Sequence, residues 1–149
     1  MKFAPQEVFE QMLEWAVIPT FDLILEVEGK GFLMVKRTIA PYKDQWALPG
    51  LRMYKEESID DTLVRIAQKE IGIKLDPSKK QLVGQYVGKF KTEHERQDLS
   101  TGYYFKLPAS TEITINEEHF SSYQFVTEVP PKTGAMYKFY IEKAKSQTR

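Results

Sequence analysis

A carboxylate that follows a glycine-containing loop is the first candidate for chemistry in this sequence. Pro49 and Gly50 open a short polar stretch that ends at Glu57, and a helical pattern with Glu70 follows it. A carbonyl oxygen and a carboxylate are hard ligands of the kind that Mg²⁺ prefers, above all when a substrate brings phosphate oxygens. A backbone carbonyl of the loop and a carboxylate of the helix could therefore hold Mg²⁺ together. The alternative for Glu70 is a solvated helix carboxylate.

Two arginines and a histidine could act beside such a metal. Arg37 and Arg52 flank the glycine loop, and guanidinium groups bind diphosphate oxygens through two-pronged, charge-assisted hydrogen bonds. His119 lies in a polar loop ahead of an apolar strand, and an imidazole can take a proton from water near neutral pH. The alternatives are solvated surface arginines and an ordinary loop histidine.

Hydrophobic spacing predicts the elements that must position these residues. Apolar residues at helical spacing predict three helices, over 5–16, from the N-cap Ser58 to Gly72, and over 133–145. Apolar runs predict strands at 21–27, 32–35, 46–48, 82–90, 102–107 and 123–126. The alternation of apolar and polar residues over 21–27 predicts a half-buried strand. Pro19 predicts a break in the chain just before this strand. Strands and helices in this mixed order imply an α+β domain with a mixed sheet.

Composition limits the class of protein. The chain has 149 residues, so we predict a single domain over residues 1–149. It has no cysteine, which excludes disulfides and thiolate chemistry. Lys and Arg total 21, as do Asp and Glu, and this balance argues against a nucleic-acid partner held by charge. No apolar run approaches the roughly 20 residues of a membrane span, and acidic residues come too early for a secretion signal. We expect a soluble cytoplasmic protein that binds neither nucleic acid nor membrane.

Residues 50–73 resemble the signature of the Nudix hydrolase family, which has glycine, acidic, arginine and apolar positions at fixed spacing. The matching residues are Gly50, Glu57, Arg65, Glu70, Gly72 and Ile73. Three positions depart from the signature: Leu51 replaces a Gly, and Ile66 and Lys69 each replace a Glu. The resemblance implies the Nudix fold, a mixed β-sheet sandwiched between α-helices, and a divalent metal cofactor. It also implies that the Glu70 carboxylate and the Gly50 carbonyl bind that metal. The missing acids imply fewer metal ions than usual, because each removes a ligand and compensating charge.

Residues 8–126 are also similar to the GDP-mannose mannosyl hydrolase subfamily, in which the helix acids are thinned in the same way. The matches include Phe21-Asp22-Leu23, Lys36-Arg37-Thr38, Trp46, Leu48-Pro49-Gly50, Arg52, Asp98 and Tyr103. This resemblance implies an enzyme that uses Mg²⁺ or Mn²⁺ to hydrolyse a nucleotide-sugar to a nucleoside diphosphate and free sugar. It also implies a homodimer, for which the apolar face of the first helix is one candidate surface.

The same resemblance assigns roles to individual residues. His119 corresponds to the general base that activates water against the anomeric carbon of the sugar. Glu118 stands where the subfamily has a metal-binding Gln, with loop surface as the alternative. Asp22 corresponds to a residue that contacts the sugar nucleotide. Tyr103 could hydrogen-bond a phosphate or could pack among the aromatic residues of its strand.

Two alternative functions stay open. A Nudix enzyme can instead cut the phosphoanhydride of ADP-ribose or a nucleoside triphosphate, but Ile66 and Lys69 replace acids that such chemistry uses. The chain could also be a nucleotide-sugar-binding module without catalysis. Leu51 favours that interpretation, because a bulky side chain replaces a glycine where the backbone approaches the ligand. In each case Glu57 and Arg65 are expected to brace the loop against the helix.

Overall fold

Seven strands within the described residues, 2–147, form one mixed sheet around a long central strand. β1 (Val17–Val27) runs parallel to β6 (Gln97–Leu107) along its full length, and β2 (Gly31–Arg37) pairs with β1 in an antiparallel hairpin. The remaining strands are β3 (Trp46–Ala47), β4 (Gly50–Arg52), β5 (Gln81–Lys89) and β7 (Phe120–Val126). The order is β3-β2-β1-β6-β5, with β4 also paired to β1 and β7 to β2. The structure is a computed structural model, and residues 1, 148 and 149 of the predicted domain lie outside its described part.

Helices cover both faces of this sheet. They are α1 (Gln6–Trp15), α2 (Ile59–Ile71) and α3 (Ala135–Gln147). Asp60 of α2 pairs at 2.8 Å with Lys80, which lies beside Tyr103 on one face of the sheet. On the opposite face, the Tyr140 ring of α3 packs directly on Gly102. The predicted architecture, a mixed sheet between helices, is therefore confirmed. Within residues 2–147, no helix is long and apolar enough to cross a membrane.

α2 begins and ends where the sequence predicts. The Ser58 hydroxyl accepts from the Asp61 amide, and the Asp61 carboxylate accepts from the Ser58 amide, both at 3.0 Å. This reciprocal pair satisfies two backbone donors that the helix start would leave without partners. At the other end, Gly72 adopts a left-handed conformation with φ 65°, which glycine tolerates without strain. The caps fix the helix so that Glu70, two residues before Gly72, is buried.

β1 differs from its prediction in two respects. The break expected at residues 17–19 is wrong, because the strand continues through Pro19 from Val17. Pro19 is tolerated because it lies just before the first residue paired with β4, and its carbonyl accepts from the Met53 amide at 3.1 Å. The strand is also not half-buried: both Asp22 and Ile24, on the face predicted to be exposed, are buried beneath helices and loops.

β6 begins at Gln97, five residues earlier than predicted. Its register with β1 is Ile18 with Asp98 and Asp22 with Gly102. Because side chains alternate between the faces of a strand, Asp98 and Ser100 share a face with Asp22. The early start of β6 therefore extends the sheet under the candidate site.

Candidate active site

A cavity of about 220 Å³ opens at one end of the sheet, and residues from all three helices line it. Its wall contains six of the residues that the sequence singles out: Asp22, Arg37, Gly50, Arg52, Glu70 and His119. These residues come from three strands, one helix and one turn. The fold therefore brings together, in one place, candidates that are spread over nearly a hundred residues of sequence.

His119 and Glu70 form a hydrogen-bonded pair in the cavity wall. His119 Nδ1 lies 2.9 Å from Glu70 Oε1 and 3.0 Å from Oε2. The Glu70 side chain is fully buried, whereas 23% of the His119 side chain is exposed. Burial raises the pKa of the Glu70 carboxyl, and the charge and hydrogen bond of His119 oppose that rise. Since an ionised carboxylate only accepts hydrogen bonds, it favours the tautomer with the proton on Nδ1, which leaves the Nε2 lone pair for another partner.

Asp22 is buried in the cavity wall and is held by hydroxyl groups. Ser100 Oγ donates to Asp22 Oδ2 at 2.5 Å, and the Tyr140 hydroxyl lies 2.8 Å from Ser100 Oγ. A Cβ on Gly50 would collide with Asp22 Oδ1, so only glycine fits beside this carboxylate. Burial raises the pKa of Asp22 to about 7, although the Ser100 hydrogen bond and the charge of Arg37 lower it. Asp22 therefore titrates near neutral pH, which is typical of carboxylates in functional clefts.

Arg37, at the end of β2, shapes the rim of the cavity. Its Nε donates to the carbonyls of Pro41 at 2.5 Å and Ile39 at 3.3 Å, and its Nη2 donates to the Ala40 carbonyl at 3.3 Å. The Ala40–Pro41 peptide bond is cis. Among residues 2–147, Arg37 Nη1 has no hydrogen-bond partner. The side chain thus holds the loop and keeps a donor for a ligand.

Arg52 lies against two aromatic rings. Its guanidinium carbon is 4.2 Å from the Phe9 ring centroid and 4.8 Å from the Tyr54 ring centroid. The Arg52 carbonyl accepts from Arg65 Nη2 at 2.7 Å, and the same guanidinium binds Glu57 in a two-pronged pair at 2.7 and 2.8 Å. Glu57 and Arg65 therefore brace the loop against α2, as the sequence predicts. This bracing fixes the backbone from which the Arg52 side chain extends.

Tyr103 and Glu118 lie outside the cavity wall. Tyr103 pairs with Leu23 in the register and thus faces the side of the sheet opposite Asp22. It stacks on Phe21, with ring centroids 6.1 Å apart. Tyr103 therefore packs among aromatic residues, which is the alternative to a phosphate contact. The Glu118 side chain is exposed, and its backbone carbonyl accepts from Thr38 Oγ1 at 3.1 Å. Their positions lend no support to a phosphate contact for Tyr103 or a metal contact for Glu118.

The cavity also contains residues that the sequence reasoning missed. Arg96, which lies between the strands predicted at 82–90 and 102–107, lines the cavity, and its Nε donates to Asp98 Oδ1 at 2.7 Å. The one local signal was that Arg96 and Asp98 are two positions apart, which places both side chains on the same face of an extended strand. Phe9 and Tyr137, from the first and last helices, gave no such signal, because aromatic residues at helical spacing read as core.

The donors near Glu70 fit a sparse metal site. Among residues 2–147, no three Asp, Glu or His side chains are grouped to hold a metal ion. An ionised carboxylate has about four lone-pair sites, so Glu70 retains acceptor capacity beyond its bonds to His119. Gly50 also lines the cavity and can offer its carbonyl. Mg²⁺ is commonly bound by one or two carboxylates with substrate phosphates and water completing its shell, and these donors fit that mode.

Comparison with known proteins agrees with this arrangement of sheet, helices and cavity. The model of the NUDIX domain matches residues 18–140. The match covers most of the chain, so the protein belongs to the Nudix family. Nudix hydrolases generally use divalent metal ions, and the sequence departures at Ile66 and Lys69 distinguish this chain within that family.

Among its relatives is the low-salt glycan biosynthesis protein Agl8 of Haloferax volcanii. It is 24% identical over 118 residues, which cover 77% of this chain and 70% of the relative. A MutT protein from Methanosarcina mazei shares the fold with a TM-score of 0.75 and 16% identity, over 89% of this chain and 96% of that chain. The NUDIX domain of Shewanella oneidensis NrtR, solved with ADP ribose, has a TM-score of 0.73 and 16% identity, over 98% and 94%.

Proposed function

We propose that this Nudix protein is a Mg²⁺-dependent hydrolase of a nucleotide-sugar, GDP-mannose or a close relative. Its products would be a nucleoside diphosphate and the free sugar. The observation that carries the proposal is the pair of Glu70 with His119 Nδ1, in the wall of a cavity that Arg37 and Arg52 also line. A histidine oriented by a carboxylate is the arrangement that a general base requires.

The proposed reaction is displacement at carbon. The Nε2 lone pair of His119 takes a proton from water, the water oxygen bonds to C1 of the sugar, and the bond from C1 to the diphosphate oxygen breaks. The electron pair of that bond leaves with the diphosphate, whose charge Arg37 and Arg52 stabilise. Asp22 is proposed to hydrogen-bond the sugar. Attack opposite the leaving group would invert the anomeric centre.

Glu70 and the Gly50 carbonyl are the residues proposed to hold Mg²⁺, or Mn²⁺ in its place. When bound, the ion would neutralise charge on the departing diphosphate. Glu118, which the resemblance suggests as a further ligand, is exposed and lies outside the cavity wall. Replacement of Glu118 by Gln tests whether this residue contributes to metal binding.

Two features favour attack at carbon over cleavage of the phosphoanhydride. Ile66 is fully buried in the core and has no ligand atom, so this position cannot supply the metal ligand that the usual signature has. Lys69 is exposed beside Glu70 and adds positive charge where the usual signature has an acid. The Haloferax relative, which is named for glycan biosynthesis, supports a sugar-related substrate. The Shewanella domain was solved with ADP ribose, so the test must also detect cleavage of a phosphoanhydride.

The test is product analysis in ¹⁸O-labelled water with Mg²⁺ and a panel of GDP-mannose, GDP-glucose, ADP-ribose and dGTP. Nucleoside diphosphate plus labelled free sugar supports attack at carbon. A nucleoside monophosphate plus a sugar phosphate would contradict it and establish phosphoanhydride cleavage. Binding without turnover would instead support a nucleotide-sugar-binding module.

We also propose a homodimer, as the resemblance to the subfamily implies. α1 has no buried residue, and its side chains Val8, Met12 and Trp15 are 45%, 37% and 81% exposed. Such apolar exposure on one helix supports a contact surface. The molar mass from light scattering tests this, with Trp15→Lys expected to reduce a dimer to a monomer; a monomeric wild type would contradict it. The single domain and the cytoplasmic location stay predictions.

A further inference from the structure

The hairpin between β5 and β6 delivers an arginine to the cavity from a side that the proposed reaction does not use. The Phe90 amide donates to the Arg96 carbonyl at 2.9 Å and closes the hairpin. The Arg96 amide donates to Thr92 Oγ1 at 3.1 Å, which fixes the backbone just ahead of β6. Both Phe90 and Arg96 line the cavity. Arg96 is thus held at a defined position and is not a free surface side chain.

Asp98 holds the Arg96 side chain through one edge of the guanidinium. Arg96 Nε donates to Asp98 Oδ1 at 2.7 Å, and the two side chains are 23% and 9% exposed. Within residues 2–147, the Nη nitrogens of Arg96 have no hydrogen-bond partner. A guanidinium carries five N–H groups in a fixed fork, and this bond uses one of them. The remaining donors are therefore preorganised in the cavity wall.

Arg52 reaches the same part of the cavity from β4. The Phe9 and Tyr54 rings hold its guanidinium, and it has no side-chain hydrogen bond to any of residues 2–147. Arg52 and Arg96 line the same cavity. Burial and the positive charge of Arg96 both lower the pKa of Arg52. Desolvated like charges are costly unless an anion lies between or beside them. Asp98 is the acid bonded to Arg96, and it contacts only the Nε of that guanidinium.

We propose that Arg96 and Arg52 form a two-guanidinium clamp for phosphate oxygens, with Asp98 as a positioning residue for Arg96. The identification of the phosphates as the diphosphate of a nucleotide-sugar rests on the proposed function. Guanidinium forks bind phosphate oxygens two at a time, and Asp98 keeps the Arg96 fork at the required angle. Arg96 thus joins Arg37 and Arg52 as a ligand-binding residue that the Nudix signature does not include.

The test measures binding of inorganic pyrophosphate and of GDP by calorimetry to wild type and to Arg96→Gln, Arg96→Lys and Asp98→Asn. Lys138→Gln, which removes an exposed charge outside the cavity, is the matched control. We expect Arg96→Gln to weaken both ligands by roughly tenfold or more, which corresponds to about 1.4 kcal/mol. Arg96→Lys is expected to restore part of this affinity, and Asp98→Asn to lose part of it. The control should bind as wild type does.

Two results would contradict the clamp. Unchanged pyrophosphate affinity in Arg96→Gln overturns the clamp. If that variant does not fold, unchanged affinity in Arg96→Lys overturns it, because a lysine keeps the charge but cannot form the two-pronged bond. A loss of GDP affinity with unchanged pyrophosphate affinity also overturns it, since Arg96 would then contact the nucleoside. Pyrophosphate binding that depends on Arg96 supports the clamp even in a protein that turns over no nucleotide-sugar. The clamp and the proposed reaction can therefore fail separately.

Discussion

Replacement of His119 by Gln tests the centre of the proposed reaction. General-base catalysis contributes about 10²–10⁴-fold to rate, so kcat for GDP-mannose is expected to fall by roughly that factor. The fold should persist, because the Gln amide can still donate to the buried carboxylate of Glu70. His119→Ala removes that donor, and an unsatisfied buried acceptor costs about 1–3 kcal/mol of unfolding free energy. For a chain of this length, such a loss corresponds to a decrease in Tm of about 2–12 °C.

The assay measures kcat and KM over a range of pH, together with thermal unfolding of each variant. His94 offers a matched control, because the chain has two histidines and His94 pairs with exposed Glu14 at 3.0 Å, away from the cavity wall. His94→Gln is expected to retain wild-type kcat. A His119→Gln enzyme with a rate within about twofold of wild type and an unchanged pH profile would refute the general-base role.

Three further substitutions test the metal ligands and the brace. Glu70→Gln is expected to abolish Mg²⁺-dependent turnover, measured by Mg²⁺ titration of the rate. Glu57→Gln is expected to lower the free energy of unfolding at pH 7 by about 1.5–3 kcal/mol, because Arg65 loses a charge-assisted partner. Arg65 lowers the pKa of Glu57 from 4.5, so this stabilisation is present above pH 4.5 and is lost as pH falls through the lowered pKa. Thermal unfolding of both proteins from pH 7 down to the lowest pH at which the wild type folds measures the difference. Glu118→Gln is expected to leave kcat/KM and the Mg²⁺ requirement unchanged.

Each of these expectations has a contradictory outcome. Full activity of the Glu70 variant with Mg²⁺ would exclude that carboxylate from the metal site. A Glu57 variant whose deficit in Tm does not shrink as the pH is lowered would mean that the stabilisation does not depend on the carboxylate charge. Glu117→Gln, which removes an exposed carboxylate next to Glu118, serves as the control. A severe loss of activity on replacing Glu118 would give its charge a role that its exposed position does not suggest.

The local features of this fold could be predicted from the sequence, and the long-range ones could not. Ser58 and Gly72 mark the ends of α2 because capping depends on residues within a turn of the helix end. Pro19 was misjudged because its tolerance depends on where β4 begins to pair, which is a property of the sheet. The face occupied by Tyr103 depends likewise on the parallel register of Asp22 with Gly102.

In the candidate site, too, the local features could be predicted from the sequence and the long-range contacts could not. The signature stretch predicts Gly50 and Glu70 in the cavity because they lie close along the chain, at the start of β4 and in α2, at a spacing that sets their geometry. Arg96 was missed because its place in the wall follows from the hairpin and from its bond to Asp98, which residue type alone does not reveal. The contact between Glu70 and His119 was not predicted either, although each residue was singled out, since 49 residues separate them.

The parallel pairing of β1 with β6 has a consequence for how the protein acquires its site. Asp22 and Ser100 are hydrogen-bonded although 78 residues separate them along the chain. Contacts between distant residues form slowly, because the entropy of closing the intervening loop must be overcome before the contact stabilises anything. During synthesis, a chain that ends before Gln97 would already contain the entire signature loop and α2, yet β1 would lack its longest partner strand. The cavity is therefore expected to mature only after β6 has docked, so that ligand binding reports on completion of the sheet.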